Sequence, residues 1–372
     1  MRVPFVDLVV QQAEVAAEVL SLWQRILEAA AFVGGEQVDS FERDYASFTG
    51  VRHCVGVANG TDALELALRA VGVEPGGDVI VPVNTFIATA EAVSRIGAVP
   101  VFVDVDPEQL LIDPDAVAAA VTPRTQAIVP VHLFGQVAPV DELLPIAQGH
   151  GIPIVEDNAQ AQGATVVSSS TGIARRTGSL GTISATSFYP GKNLGAAGDA
   201  GAVTTDDADL AHTVRELGAH GSTVRYVHNR IGMNSRLDAL QAAVLAAKLK
   251  RLDGWNTMRR GAASRYGELL ADVEGVRPPT LRPGSVDVCH LYVVQVADRD
   301  RVLAELGAAG VGAAIHYPTP LHLTAAYASL EYRVGQFPVA EAAASRILSL
   351  PMFPHLTAEQ QAYVSDSLRK SV

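Results

Sequence analysis

The chain has 372 residues, 48% hydrophobic and only 18% charged, enough to bury a large core and long enough for two or three structural units. Asp and Glu outnumber Lys and Arg by 40 to 28, and the net charge of −12 argues against nucleic acid or an anionic membrane as partner. Two cysteines without a CxxC exclude a disulfide scaffold, Asp7 and Gln11 come too early for a signal peptide, and no apolar run approaches the ~20 residues that span a bilayer. The expected location is the cytoplasm.

In chain order, apolar β-type runs at 54–58, 79–83, 100–103, 127–131, 152–156, 182–188 and 202–204 alternate with helical patterns. That alternation predicts βαβ units and an α/β core built on a mostly parallel sheet covered on both faces. Leu237, Leu240, Val244, Leu245, Leu249 and Leu252 form a helical stripe, and a domain break is expected near 250. Residues 1–250 are therefore assigned to a large domain with an N-terminal arm. Residues 251–372 are assigned to a smaller α+β domain, with turn-rich 277–285, a strand over 290–296 and helices over 299–308 and 338–348. The polar run 168–172 reads as an exposed loop.

Several signatures are missing. No GxGxxG follows a strand, Gly191-Lys192-Asn193 lacks the upstream glycine of a phosphate loop, and the ten histidines show neither HExxH nor cysteine partners, so no metal site is expected. Other segments carry chemistry. Gly60 and Thr61 sit between a strand and an Ala/Leu-rich helix, where backbone N–H groups suit a phosphate, although alone the segment reads as a tight turn with Thr61 or Asp62 as cap. Phe86 follows a strand end and could stack on a planar ring, although a lone phenylalanine there is more often core. Asp157 closes the apolar run 152–156, and Lys192 lies downstream in a loop rich in glycine (Gly191, Gly195, Gly198, Gly201). An amine for an aldehyde and an anion for a ring nitrogen are what a pyridoxal phosphate enzyme needs.

These segments, with Pro-Phe-Val-Asp-Leu at 4–8, Asn59-Gly60-Thr61-Asp62, Glu156-Asp157-Asn158-Ala159-Gln160, Ser187 to Asn193, Asn234-Ser235-Arg236 and His316-Tyr317-Pro318, span nearly the whole chain. It resembles the DegT/DnrJ/EryC1/StrS sugar aminotransferases. The resemblance implies the aspartate aminotransferase fold (fold type I) and pyridoxal 5'-phosphate as cofactor. Lys192 would bind the cofactor covalently, Asp157 would pair with the pyridine nitrogen, and these two are the expected catalytic residues. Gln160 would contact the ring hydroxyl, Phe86 would stack on the ring, and Gly60, Thr61 and Ser187 would hold the phosphate. Asn234 would reach the cofactor of a second copy, which implies a homodimer with shared sites.

The segments 178–181, 188–195 and 198–203 look most like enzymes that aminate C3 of dTDP-3-keto-6-deoxyhexoses for antibiotic amino sugars, with L-glutamate as donor. Two positions depart from that pattern: Asn158 where alanine is common, and Gln162 where a titratable histidine is common, which bears on substrate contacts there. A sugar diphosphate needs cationic or hydroxyl donors. Tyr189, the group Arg225, Tyr226, His228 and Arg230, and the group His316, Tyr317 and His322 are the candidates, with an ordinary exposed loop as the competing reading. Amination at C4, an aminohydroxybenzoate-type synthase and a cofactor-free scaffold are the alternatives, while Lys192 speaks against the ketosugar dehydratases that carry histidine there.

Overall fold

Strands β1 (His53–Val57), β2 (Asp78–Pro82), β3 (Val99–Val103), β4 (Thr125–Ile128) and β5 (Val155–Asp157) arise from the apolar runs of the first half. After β6 (Thr165–Val167) and β7 (Ala174–Arg176) come β8 (Ile183–Ser187) and β9 (Gly201–Thr205). Residues 1–167 and 172–372 of this computed structural model are described, and most of the polar run expected as a loop, 168–171, lies outside them. β3, β2 and β4 pair in parallel, β5 pairs in parallel with β8, and parallel bridges Ile128–Ile154 and Val131–Asp157 join the two groups. The sheet order is thus β3-β2-β4-β5-β8-β9-β1. β9 is antiparallel to both neighbours, because a loop, not a crossover helix, returns the chain from β8. Strands buried on both faces explain why the runs are continuous rather than alternating.

The helices of this half are α1 (Val9–Ala29), α2 (Glu36–Thr49), α3 (Gly60–Ala70), α4 (Ile87–Arg95), α5 (Pro114–Ala120), α6 (Val140–His150) and α7 (Ala208–Gly218). α3 is buried from Asp62 to Leu68. Its cap is neither Thr61 nor Asp62 but Asn59, whose Oδ1 accepts the Asp62 N–H at 2.8 Å, so the first turn is free to present its donors.

The stripe expected over 237–252 becomes α8 (Ala239–Leu249), and α9 (Leu252–Leu270) starts after a break at Lys250 and Arg251. Then follow β10 (Val276–Arg277), β11 (Ser285–Val286), β12 (Tyr292–Val296), α10 (Arg299–Ala308), α11 (Pro338–Ala344), β13 (Ile347–Leu350) and α12 (Ala358–Ser371). β10, β12 and β13 form an antiparallel sheet, and β11 joins the β6–β7 hairpin. The helix expected over 338–348 ends at Ala344. Ile347–Leu350 is instead a fully buried strand paired with β12, a short apolar run whose periodicity does not separate strand from helix. Val3 bridges Val311 and packs in one core with Tyr266, Val294 and Leu348, so the start of the chain lies against the C-terminal layer. Among the described residues no helix is long and apolar enough to cross a membrane.

Candidate active site

Lys192 follows the end of β8, within charge range of Asp157 at the end of β5 and of His316, and the start of α3 packs on Ser187 at the end of β8. Asp157, the last residue of β5, is buried. Its Oδ2 accepts from Thr89 Oγ1 at 2.8 Å and its Oδ1 from the Ala159 N–H at 3.1 Å, and Thr89 in turn meets Thr85 Oγ1 at 3.0 Å. Burial raises the Asp157 pKa against the pull of Thr89, Ala159 and the Lys192 charge. Lys192, in the loop after β8, is lowered by burial and pushed back up by Asp157. Each feels the other, and both are drawn toward their neutral forms.

Glu156, one residue earlier, points away from this pair. Gly178, Leu180 and Gly181 donate their N–H groups to it at 2.8, 2.7 and 2.8 Å, and His132 Nε2 lies 2.8 Å away. His132 Nδ1 accepts from the Ala138 N–H at 3.0 Å, which puts the ring proton on Nε2, facing the carboxylate. Burial alone would raise Glu156, but His132 and the backbone donors outweigh it and hold the carboxyl below its ordinary value.

Around the pair, Gln160 Oε1 accepts from the Phe134 N–H at 2.7 Å and its Nε2 donates to Tyr317 Oη at 3.2 Å. Phe86 is not core: it is 53% exposed, with its ring 5.6 Å from that of Tyr317. His316 stacks on Phe5, meets Ser349 Oγ at 2.9 Å and is driven down to about 4 by burial and then by the Lys192 charge. His290 is lowered the same way. Its Nδ1 lies 3.0 Å from Asn193 Oδ1, the acceptor end of an amide whose Nδ2 is spent on Asn256 Oδ1 and the Val288 carbonyl. Both imidazoles are therefore neutral beside the lysine.

At the start of α3, a Cβ on Gly60 would stand 2.6 Å from Ser187 Cβ, so only glycine fits against that serine. Gly60, Thr61 and Ser187 thus meet at a helix N-terminus whose first N–H groups have no intrahelical partner. A half-buried amine, a buried carboxylate and this anion cradle fit pyridoxal 5'-phosphate: Lys192 for the aldehyde, Asp157 for the ring nitrogen, the α3 start for the phosphate.

The remaining candidates are placed unevenly. Tyr189 is exposed next to Gly191. Arg225 and Tyr226 stand on an exposed turn closed by the Val224–Val227 bridge, the guanidinium 4.9 Å over the ring. On the same turn His228 Nδ1 lies 2.8 Å from the His220 carbonyl, and Arg230 pairs with Glu216 at 2.8 Å. Asn234 is exposed, in a backbone bridge to Ala219. His322 departs from expectation: it is buried, with Nε2 3.0 Å from Glu341 Oε1 and its ring edge-on to Phe337, which packs in one core with Leu321 and Phe102. Gln162 departs too. It is fully buried, its Nε2 donates to the Ser187 carbonyl at 2.8 Å and its backbone carbonyl accepts from Asn256 Nδ2 at 2.9 Å, so it braces the β8 end from behind. Asn158 is likewise buried, its N–H on the Ala185 carbonyl. Thr89 and His290 were not legible as site residues. Thr89 follows Phe86 by three positions at the start of α4, the one local cue to it.

The DegT/DnrJ/EryC1/StrS aminotransferase family matches residues 13–369. The chain is 46% identical over 369 residues to the erythromycin biosynthesis sensory transduction protein EryC1 of Saccharopolyspora erythraea, covering 99% of each. It is 43% identical to the dTDP-3-amino-3,4,6-trideoxy-alpha-D-glucose transaminase of Streptomyces venezuelae, covering 99% of this chain and 96% of the relative. The solved structure of S. venezuelae DesV in complex with ketimine intermediate superposes with a TM-score of 0.95 at 44% identity, covering 99% of this chain and 98% of that one.

Proposed function

We propose, for a chain that belongs to the DegT/DnrJ/EryC1/StrS aminotransferase family and uses pyridoxal 5'-phosphate, that it moves the amino group of L-glutamate to C3 of a dTDP-linked keto-6-deoxysugar in making an antibiotic amino sugar. The observation that carries the proposal is full-length similarity to a dTDP-3-amino sugar transaminase, together with a half-buried lysine and a buried carboxylate that shift each other.

In this reading Lys192 Nζ would hold the cofactor's aldehyde and, when free, would take up and return a proton at the substrate carbon. Its lowered pKa leaves more of the free amine to accept that proton near neutral pH. The bound cofactor supplies an electron sink that acidifies the carbon bearing the amino group. Asp157, steadied by Thr89 and the Ala159 N–H, offers its carboxylate to the ring nitrogen. Gln160, with one end fixed by Phe134, sets the ring hydroxyl, Phe86 covers a ring face, and Gly60, Thr61 and Ser187 take the phosphate. The neutral His316 and His290 spare Lys192 further positive charge.

Tyr189, Arg225, Tyr226, His316 and Tyr317 are assigned to the sugar nucleotide. The working unit is a homodimer in the cytoplasm, with Asn234 and the 224–231 turn reaching a second copy's site. Tyr226 and Ile231, 79% and 91% exposed on that turn, support this arrangement, since large side chains there have no cover within one chain. The test is to incubate the holoenzyme with L-glutamate and a dTDP-3-keto-6-deoxyhexose and identify the product by mass spectrometry and NMR. A 3-amino sugar is expected. Amination only of a 4-keto isomer, or only of a carbocyclic ketone, would refute the assignment of substrate.

A further inference from the structure

Asn193, the residue after Lys192, is buried, and its side chain reaches out of the glycine-rich loop to two other parts of the chain. Its Nδ2 donates to Asn256 Oδ1 on α9 at 2.9 Å and to the Val288 carbonyl at 3.0 Å. Asn256 Nδ2 in turn donates to the Gln162 backbone carbonyl at 2.9 Å, and Gln162 Nε2 donates to the Ser187 carbonyl. Backbone carbonyls only accept, so those of Gln162 and Val288 fix which way each asparagine amide points. Asn193 Oδ1 is therefore an acceptor. The nitrogen 3.0 Å from it, His290 Nδ1, must carry the ring proton, and in the neutral ring Nε2 is the bare nitrogen.

The backbone that presents His290 is pinned from two sides. The Val288 N–H donates to the Gly135 carbonyl at 3.0 Å and the Leu291 N–H to the Phe134 carbonyl at 3.1 Å. Arg259, buried on α9, gives Nη1 to the carbonyls of Cys289, His290 and Met352 at 3.2, 3.2 and 3.1 Å. Between these pins Cys289 takes a left-handed φ of 47°, and a Cβ on Gly135 would stand 2.6 Å from the His290 nitrogen. Non-glycine residues persist in the left-handed region where their surroundings over-determine them, and they gather at working sites. Phe134 is another, at φ 64°, and its N–H is the one that fixes Gln160. The two pinned segments thus serve Gln160 and Asn193 together.

We propose that His290 is a positioning residue for Lys192: its Nδ1–H locks the Asn193 amide, and with it the loop that carries the lysine, and the ring takes no part in proton transfer. The proposal rests on the assignment of Lys192 above. Gly191, Gly195 and Gly198 leave that loop with little shape of its own, so contacts from outside set where the lysine stands. Without the His290 donor, Asn193 Oδ1 would be a buried acceptor left idle, a cost the loop relieves by shifting, and Lys192 shifts with it. Burial first, then the charges of Lys192, Arg259 and His316, keep the imidazole neutral, so the same hydrogen bond is donated across the neutral pH range.

Three variants separate the two ring nitrogens. His290→Asn sets an amide N–H near the place of Nδ1, His290→Gln carries its amide out to the place of Nε2, and His290→Phe keeps a ring with neither. In rapid mixing of the holoenzyme with L-glutamate, the half-reaction should stay within about threefold in His290→Asn and fall about tenfold in the other two, with half-saturation by glutamate within about twofold throughout. A second measurement needs no variant to fold. Nitrogen NMR of the labelled histidines in the unmutated holoenzyme should show His290 with a protonated Nδ1 and a bare Nε2, unchanged from about pH 6 to 8. Full rate in His290→Phe would make the ring a packing residue, and rescue by glutamine but not asparagine would put the work on Nε2. Either result, an equal fall in all three variants, or a proton on Nε2 would overturn the proposal. Should the unmutated protein not react with glutamate, that would count against the donor alone, and the position of the ring proton would decide.

Discussion

Glu156 and Asp157 are consecutive, equally hidden at the end of β5, and pulled in opposite directions. Glu156 faces three backbone N–H groups and His132, and its carboxyl is held low. Asp157 faces Thr89, one N–H and a lysine that is itself losing charge, and its carboxyl is raised. The protein's own donors offset the desolvation of one carboxylate and not of the other, so the first is a brace and the second suits a cationic ligand atom. The pH signs are opposite. Stability from Glu156 is present above the ordinary carboxylate range and lost as pH falls through its lowered pKa. Any from Asp157 in the cofactor-free protein is present below that range and lost as pH rises through its raised pKa.

The largest break lies on the Asp157 side. Lys192→Ala removes the proton carrier, and steady-state transamination should fall by ~10²–10⁴-fold or more; turnover near the normal rate would end its catalytic assignment. On the other side, Glu156→Gln should cost about 3 kcal/mol of stability in urea unfolding, the penalty for breaking a buried charge cluster, while turnover per folded molecule stays within about twofold. If activity collapsed with stability intact, the division between brace and ligand-facing group would be wrong. Asp157→Asn should do the reverse. Losing a charge-assisted contact of about 1.5–3 kcal/mol slows the glutamate half-reaction by roughly 10–100-fold, read from the cofactor absorbance in single-turnover mixing. His316 gives a smaller test. Its NMR titration should fall at about 4 in the cofactor-free protein and move up in Lys192→Ala, since burial and the lysine charge depress it together.

The sequence made the Asp157 side legible and left the Glu156 side mostly dark. Asp157 and Lys192 stand at the ends of apolar runs, where α/β folds put their chemistry, and the glycines around Lys192 mark an unusual loop. The central strands were equally plain, since continuous β-type runs broken by helical patterns have few other solutions. The clamp on Glu156 was not legible, because Gly178, Leu180 and Gly181 reach it through backbone N–H groups, which any residue carries. Gln162 and His322 misled for a related reason. Both are polar types next to motif residues, but long-range partners, the Ser187 carbonyl and Glu341, turn them inward. The antiparallel turn of β9 and the strand at Ile347–Leu350 were hidden because short apolar runs carry neither direction nor a distinct period.

Thr89 sets the finest test of the comparison, since its hydroxyl is the one side-chain donor on Asp157 among the described residues. Thr89→Val keeps the branched shape, removes the 2.8 Å hydrogen bond and leaves Oδ2 facing a methyl group. A hydrogen bond to a buried charged group is worth about 1.5–3 kcal/mol. Thr89 acts through Asp157, which keeps the Ala159 N–H, so with about half of that reaching the half-reaction with glutamate the rate should fall by roughly three- to tenfold. With that donor gone, burial acts on Asp157 less opposed, and its pKa should rise further. The acid limb of the half-reaction's pH profile should therefore move to higher pH in the variant, because the ionised carboxylate is the working form. A drop in melting temperature with the rate and the acid limb unchanged would make Thr89 a packing residue and leave Asp157 dependent on its ligand alone.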